Sequence, residues 1–303
     1  MAAVRFLPDE ATVDAVPGET LMEAARRAGV PLASACGGEA ACTTCRVVVV
    51  EGPKGLAPPP ADEAAVLAPL GADAALRLGC RARVQGPVTV RRLVMYENDE
   101  AATARWKAPP EPMGRERTVG VLFADLRGFT SFSESLLPYD VVHVLNRFYG
   151  LAEAAVGRHG GRIATYMGDG FMALFGTEDA ADEPALRAVR AGLDLIAAVD
   201  AWKAYLVMLH GRALEVSVGV HYGSAVVGAL GSGDSRIVTA VGDVVNTAAR
   251  IERANRAFGT DLLVSDVVVR ALGERLVAVA QPPIALPGKS GRHVLYAVKG
   301  VRR

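Results

Sequence analysis

The sequence lacks three features that would each indicate a class of function. It carries no net charge, because 33 Lys and Arg residues balance 33 Asp and Glu residues among 303. The basic surplus that is typical of nucleic-acid-binding proteins is therefore missing. No run of about 18 apolar residues is free of charge, so no membrane-spanning helix is predicted. The opening residues, MAAVRFLPDE, contain no apolar secretory segment, and a cytoplasmic location is expected.

Cysteine is absent after residue 80, and this absence divides the chain. Clustered cysteines in a reducing compartment bind metal more often than they form disulfides. Three of them share one stretch with the spacing C-x5-C-x2-C, and the fourth follows after 34 residues. The glycines and alanines between the first two would let the main chain wrap closely around whatever the thiolates hold. The four are Cys36, Cys42, Cys45 and Cys80.

Length and composition predict two domains. A chain of 303 residues is long enough for two cores, and 51% hydrophobic with 22% charged residues is a globular composition. Strands and helices mix without strict alternation, which predicts the α+β class. A stretch rich in Ala and Pro predicts a semi-rigid linker. We expect a first domain at residues 1–98, the linker at 99–117 and a second domain at 118–303.

The cysteine spacing resembles the adrenodoxin-like branch of the 2Fe–2S ferredoxins. Plant-type members have four residues in the first gap, whereas this chain has five. The resemblance implies a β-grasp, ferredoxin-like domain with the four cysteines as ligands of a 2Fe–2S cluster, and a redox partner for that cluster. A Cys₄ zinc site and free structural cysteines are alternatives, although zinc ribbons pair two short C-x2-C knuckles.

The second domain opens with VGVLFADLRGFT, an apolar strand that runs into an acid. This strand is expected to end at Asp125 and to be followed by a turn that presents main-chain N–H groups. A second acid, Asp169, lies at the tip of a predicted hairpin. If the two strands are neighbours, their carboxylates meet at one sheet edge and can hold two Mg²⁺ or Mn²⁺ ions with nucleotide phosphates. Taken alone, Asp169 could also be only a turn residue.

Three motifs in order resemble the catalytic domain of the class III adenylyl and guanylyl cyclases: VGVLFADLRGFTSFSE, YMGDGFMALFG and VTAVGDVVNTAARIE. The resemblance implies a ferredoxin-like (βαββαβ) domain that forms a cyclic nucleotide with two Mg²⁺ or Mn²⁺ ions per active site. The implied site residues are Asp125, Asp169 and the carbonyl of Leu126 for the metals, Gly128, Phe129 and Thr130 for the phosphates beside them, Asn246 for the ribose, Arg250 for the transition state, and Lys289 for the terminal phosphates.

The base pocket is where the sequence departs from that family. Its adenylyl cyclases usually read adenine with a lysine and a second polar residue, and the matching positions here are Thr165 and Thr239. A hydroxyl can donate to adenine N1 or accept from N6, but it discriminates less than a lysine does. The Glu/Cys pair of guanylyl cyclases is also absent. ATP is therefore favoured over GTP, with a guanylate or mixed-specificity cyclase as the alternative.

The resemblance also implies partners. In the family, the metal aspartates and the Asn/Arg pair of one site come from two catalytic domains, so a chain with one copy of each implies a homodimer with sites at the interface. The cluster could bias the two domains by its redox state, or the first domain could only aid dimerisation or folding. A third reading is an electron-transfer protein with a non-catalytic nucleotide-binding domain, although soluble carriers tend to be acidic and this first domain is close to neutral.

Overall fold

A computed structural model describes residues 2–70, 75–94, 114–134, 136–178, 183–230 and 237–302. The chain divides into two compact units, one up to Arg115 and one from Glu116 onward. Most of the predicted linker, residues 99–113, lies outside the described residues. Its last part does not, because a strand begins at Arg115 and residues 115–117 belong to that strand. No helix in the described ranges is long and apolar enough to cross a membrane.

The described elements of the first unit are β1 (Ala2–Leu7), β2 (Ala11–Ala15), α1 (Leu21–Arg27), β3 (Arg46–Glu51), α2 (Ala61–Leu67), β4 (Leu76–Leu78) and β5 (Val88–Arg92), with 3₁₀ turns at Pro53–Gly55 and Ala68–Leu70. The strands form a sheet in the order β2-β1-β5-β3-β4. Strands β1 and β5 are parallel and the other neighbours are antiparallel. Helix α1 buries Leu21, Ala24 and Ala25 in the core of this unit. This mixed sheet with a packed helix is the β-grasp arrangement that the sequence predicts.

The start of α1 is a capping box, which the sequence pattern Thr-x-x-Glu at residues 20–23 indicates. The side chain of Thr20 accepts a hydrogen bond from the main-chain N of Glu23 at 3.2 Å, and Glu23 accepts one from the main-chain N of Thr20 at 2.8 Å. Two N–H groups that the first helical turn leaves unpaired are thereby satisfied. The helix start is fixed shortly before the cysteine loop.

A buried ion pair fastens α2 to β4. Glu63 is fully buried, and its carboxylate accepts two hydrogen bonds from Arg77, at 2.9 and 3.0 Å. The same carboxylate accepts the main-chain N–H of Leu78 at 2.7 Å. These hydrogen bonds fix the main chain up to Leu78, two residues before Cys80, and so help to position the fourth cysteine.

The described elements of the second unit are β6 (Arg115–Arg127), α3 (Phe129–Ser133), α4 (Pro138–Arg158), β7 (Arg162–Met167), β8 (Gly170–Phe175), α5 (Pro184–His210), β9 (Glu215–Leu230), β10 (Ile237–Val241), α6 (Asp243–Phe258), β11 (Leu262–Ser265), α7 (Asp266–Leu272), β12 (Leu276–Ala280) and β13 (Leu295–Val301), with a 3₁₀ turn at Gly273–Arg275. The sheet order is β12-β13-β11-β9-β6-β8-β7, and β10 pairs with the far end of β9. Mostly antiparallel pairing confirms the α+β class, with β9 and β11 as a parallel pair.

Strand β6 shows how the sheet separates two cores. Leu122, Ala124 and Leu126 face the core that contains residues of α4 and α5, whereas Val119 and Val121 face the core that contains residues of α6. This alternation is the period of two that a strand imposes on side chains. Helices therefore cover both faces of the sheet, and the strand runs between them to Asp125.

Three elements of this unit differ from what the local sequence pattern indicates. The apolar runs at residues 214–220 and 222–228 indicate two strands around His221, but the structure has one continuous strand, because pairing with β11 and β10 supports its two halves. Strand β12 is not predicted from the sequence, since its run LVAVA directly follows a short helix. The last strand begins at Leu295 rather than at His293, whose main chain forms an isolated bridge with Ile284.

Candidate active site and cysteine site

The two candidate metal acids meet where β6 ends beside the β7–β8 hairpin. In the antiparallel register Asp125 pairs with Gly170, and the main-chain N of Leu126 donates to the carbonyl of Asp169 at 3.1 Å. A Cβ at position 170 would lie 2.8 Å from Asp125 Oδ2 and 2.7 Å from the carbonyl of Ala124. The glycine of this Asp-Gly turn is therefore needed to bring the hairpin against the acid.

The electrostatics of this corner suit a cation. Burial above all, together with the negative charges of Asp169 and Glu252, raises the pKa of Asp125 to about 6, although the positive charge of Arg253 opposes the shift. Carboxylates that repel each other in a partly buried site are stabilised when a divalent cation binds between them. In the described ranges no three Asp, Glu, His or Cys side chains surround one ion position. One or two carboxylates completed by phosphate oxygens is the ligand set that Mg²⁺ commonly uses.

The turn after the acid is a left-handed glycine followed by a short helix. Gly128 has φ +71°, and α3 starts at Phe129. Phe129 is buried and anchors the helix, while Thr130 is exposed at its start. The first N–H groups of a helix have no partner within it, so they are available to an anion. The structure thus places the predicted phosphate-binding turn directly beside the two acids.

The hairpin tip is held by two tyrosines whose role the sequence did not reveal. The hydroxyl of Tyr149, on α4, donates to the carbonyl of Gly168, and the hydroxyl of Tyr166 donates to Glu153 at 2.5 Å. The two rings lie 4.4 Å apart. Sequence periodicity places Tyr149 on the apolar face of its helix. The sequence could have indicated this hydrogen bond, because the position holds a tyrosine rather than a phenylalanine and a buried phenol usually needs a hydrogen-bond partner.

Helix α6 carries the second group of candidate residues. Asn246 is exposed and Arg250 is half-buried one turn later on the same face. Gly288, with φ +72°, lies against the guanidinium, since a Cβ there would be 3.0 Å from Arg250 Nη2. The next residue, Lys289, forms an ion pair with Asp243 in the first turn of α6. The loop before β13 is therefore placed over the first half of this helix.

The two candidate base-pocket residues lie on strands that contact each other. Thr165 is on β7 and Thr239 is on β10, and both are half-buried. Thr165 pairs with Met172 across the hairpin, and Thr239 pairs with Gly228 on β9. The structure thus places both hydroxyl groups in one region of a single chain.

The four cysteines form two pairs. The Sγ atoms of Cys45 and Cys80 are 3.5 Å apart and both residues are buried. Cys36 and Cys42 are half-buried and hydrogen-bonded to each other, and Cys42 Sγ lies 3.1 Å from Thr44 Oγ1. Two thiol pairs match the ligand arrangement of a two-iron cluster, in which each iron binds two thiolates, better than a single tetrahedral ion.

The surroundings favour thiolates at Cys42 and Cys80, whereas the hydrogen bond with Cys80 and burial raise the pKa of Cys45. The hydrogen bond with Cys45 lowers the pKa of Cys80 to about 7, and the positive charge of Arg81 contributes. Arg81 also donates to the carbonyl of Gly38 at 2.9 Å and pairs with Asp62 at 2.6 Å. A cluster is ligated by thiolates, and the positive charge of Arg81 beside the cysteine loop fits the negative charge of such a site.

Comparisons with known proteins identify both units. The model of the adenylate and guanylate cyclase catalytic domain matches residues 111–300, which is more than half of the chain. The chain therefore belongs to the adenylate and guanylate cyclase family. The model of the 2Fe-2S iron-sulfur cluster binding domain matches residues 4–85.

Individual relatives agree on the family but differ in the nucleotide that their names state. An adenylate cyclase of Anabaena cylindrica is 31% identical over 190 residues, which are 60% of this chain and 37% of that protein. The crystal structure of the guanylyl cyclase Cya2 is 34% identical, with a TM-score of 0.58 over 63% of this chain and 95% of that one. The adenylyl cyclase CyaB of P. aeruginosa is 25% identical, with a TM-score of 0.57 over 62% and 97%. The match thus spans well under half the length of the Anabaena relative.

Proposed function

We propose that this protein is an adenylate cyclase that converts ATP to cyclic AMP and pyrophosphate. The observation that carries the proposal is the corner formed by Asp125 and Asp169, which strand register, the hairpin glycine and two tyrosines hold in place. It supplies the carboxylates that divalent cations and triphosphate require. The family of residues 111–300 supports the reaction class.

Each candidate residue has a distinct task in this reaction. Bound Mg²⁺ or Mn²⁺ would neutralise phosphate charge and acidify the ribose 3′-hydroxyl. Asn246 orients the ribose so that its 3′-oxygen lies in line with the α-phosphorus. Arg250 stabilises the charge that builds up on the α-phosphate oxygens. Lys289 holds the terminal phosphates after exchanging its ion pair with Asp243 for them. Pyrophosphate leaves as the cyclic ester forms.

A homodimer with two composite sites is the proposed assembly. The cation whose charge lowers the pKa of Asp125 is Arg253, on the same helix as Asn246 and Arg250. Because Asn246 and Arg250 lie on α6 and the acids lie on the strand and hairpin, the pair of a partner chain is proposed to complete each site. The β9–β10 arm also exposes Val226, Ile237 and Val241, which suit burial at an interface.

ATP is the proposed substrate, because neither base-pocket position carries an acid. A carboxylate could accept hydrogen bonds from guanine N1–H and the 2-amino group, whereas the hydroxyls of Thr165 and Thr239 suit adenine N1 and N6. The guanylyl cyclase Cya2 is nevertheless among the most similar structures. A guanylate or mixed-specificity cyclase is therefore the second candidate.

The 2Fe–2S unit is proposed to regulate the cyclase by its redox state. One added electron changes the charge of the thiolate site, and such a change can bias a two-state equilibrium. The alternative role is electron transfer, with a second domain that binds nucleotide but does not catalyse a reaction.

One assay separates these functions. The purified full-length protein with Mn²⁺ is incubated with ATP or GTP, as oxidised and as dithionite-reduced protein, and the cyclic product is identified. We expect cyclic AMP in excess over cyclic GMP, a strongly reduced rate for Asp125→Ala, and a rate that depends on redox state. Absence of cyclic nucleotide in every condition would exclude the cyclase and leave electron transfer as the remaining hypothesis. Equal rates and equal KM values for ATP in both redox states would remove the regulatory role.

A further inference from the structure

The strand of the metal acids and the helix of the transition-state residues are bridged by one buried serine. Ser217 lies on β9, between the two elements, and is only 5% exposed. Its Oγ donates to Glu252 Oε1 at 2.5 Å, and the main-chain carbonyl of Asp125 lies 3.5 Å from the same Oγ. Glu252 follows Arg250 by two residues on α6. A single hydroxyl group therefore lies between the main chain of a metal acid and the helix that carries Asn246 and Arg250.

Helix α6 is pressed directly against the strand at this point. A Cβ on Gly219 would lie 2.2 Å from the main-chain N of Glu252, so only glycine permits the approach. One turn further, the fully buried Asn255 donates to the carbonyl of Val218 at 2.9 Å. The close backbone contact and the buried amide thus hold the second half of α6 against β9.

A second link joins the end of β6 to the end of α6. Arg127, two residues after Asp125, donates to the carbonyl of Thr260 and pairs with Asp261 at 3.1 Å. Thr260 in turn donates to Asn255 Oδ1 at 2.9 Å. We call the residues that form these links the strand–helix clasp: Arg127, Ser217, Glu252, Asn255 and Thr260.

We propose that Ser217 and Glu252 are positioning residues that tie the metal half-site of one chain to its transition-state half-site, so that the two composite sites of the homodimer close together. This proposal rests on the proposed function, in which each site takes its acids from one chain and its Asn/Arg pair from the other. The clasp makes each chain move as one body. In a twofold dimer, a rotation that brings α6 of one chain onto the acids of its partner also brings α6 of the partner onto the acids of the first chain.

Cooperative substrate binding is the consequence. The first ATP must stabilise the closed arrangement, whereas the second meets a site that is already closed, so its binding is tighter. We expect a Hill coefficient for ATP between one and two, the number of sites. Without the clasp, each half-site adjusts separately, the coefficient falls to one, and kcat falls by about fivefold or more because the in-line geometry is less well held.

The test compares ATP saturation curves of the full-length protein and four variants. Ser217→Ala removes the bridging hydroxyl and Glu252→Ala removes its acceptor, while Glu252→Gln retains an acceptor oxygen and should restore cooperativity. Ser265→Ala is the matched control, because it removes a serine hydroxyl of the same 5% exposure from β11 and also weakens the start of α7. It should lower the melting temperature without changing the Hill coefficient.

The outcomes separate positioning from stability. Hyperbolic curves with reduced kcat for Ser217→Ala and Glu252→Ala, beside cooperative curves for Glu252→Gln and Ser265→Ala, support the clasp. A hyperbolic curve for the unmodified protein, or identical behaviour of Ser217→Ala and Ser265→Ala, overturns it while cyclic nucleotide is still formed. If the unmodified protein forms no cyclic nucleotide, the proposed function itself fails and takes this proposal with it.

Discussion

The cysteine site and the carboxylate corner of this chain are built in opposite ways. All four thiols belong to one unit, and the structure already gathers them in two close pairs. The carboxylate corner holds only two acids, while Asn246 and Arg250 lie on a separate helix. The first site is complete in one chain, whereas the second is proposed to be half of a site.

The difference follows from how each group of residues is supported. Three cysteines lie within ten residues of each other, and local braces such as Glu63 with Arg77 place the fourth. The acids depend on a register between distant strands, and the reaction then needs a cation on the opposite side of the substrate. A substitution that disrupts the cysteine site should therefore affect only the chain that carries it. A substitution at the carboxylate corner should be compensated in a mixed dimer, where the partner chain supplies the missing group.

The largest expected effect is in the first unit. Glu63→Ala leaves Arg77 buried without its partner, and breaking a buried pair in this way costs about 3–5 kcal/mol. The free energy of unfolding of the first unit should fall by that amount, and the visible absorbance of the cluster should be lost at lower temperature. Asp62→Ala is the neighbouring control, since its exposed ion pair with Arg81 contributes only about 0–1 kcal/mol.

Local support also predicts that this defect cannot be rescued by a partner. Mixing the Glu63→Ala chain with unmodified chains should leave the cluster of the variant chain as labile as before. Recovery of that cluster in the mixture, or equal effects of Glu63→Ala and Asp62→Ala, would contradict a site that is complete within one chain.

The second effect concerns the carboxylate corner and should be rescued. Asp125→Ala and Arg250→Ala should each lower kcat by about 100- to 1000-fold, the size of losing one preorganised charge-stabilising group. An equimolar mixture should recover about a quarter of normal activity, because half of the dimers are mixed and each mixed dimer has one intact site. Activity that stays at the level of the single variants in the mixture would mean that both groups serve the same chain's site.

The third effect is a stability gain at the cost of function. Asp125→Asn should stabilise the metal-free second unit by about 1–2 kcal/mol at pH 7.5, after allowance for its partial exposure. The pKa of Asp125 is about 6 in the fold, above its unfolded value of about 3.9. The unmodified fold is therefore penalised above pH 6, and the penalty disappears as pH falls below about 4.

The measurement is urea unfolding in EDTA at pH 7.5 and pH 4, with Asp140→Asn as an exposed control on α4. A gain for Asp125→Asn at pH 7.5 that vanishes at pH 4 is expected. A gain of the same size at both pH values would contradict the electrostatic origin.

How much of this could be predicted from the sequence depends on whether the relevant interaction is local. Asp125 and the Asp-Gly turn at residue 169 were predictable, because an apolar strand and a hairpin each leave a short-range pattern, and register then joins them. The capping box of Thr20 and Glu23 was predictable for the same reason.

The interactions that the sequence did not reveal are long-range and polar. Glu63 lies in a short helix where an acid is normally solvated, and only the fold brings Arg77 to it. Ser217 has no local pattern that connects it to Glu252, 35 residues later. The sequence pattern indicates a break in β9 at His221, because a polar residue interrupts the apolar run. In the fold, the hydrogen bond of His221 with Ser265 at 2.7 Å satisfies the ring inside the sheet.

The smallest expected effect concerns the base pocket. Thr165→Lys should raise the ratio of kcat/KM for ATP over GTP by about tenfold, since an ammonium donates to adenine N1 and opposes the N1–H of guanine. Thr165→Val is the matched control, because it keeps the shape and removes the hydroxyl, and it should change the ratio in the opposite direction by a smaller factor. Product ratios at equal concentrations of the two nucleotides provide the measurement. An unchanged ratio in both variants would place the base away from β7, and the contact between β7 and β10 would then serve only to stabilise the sheet.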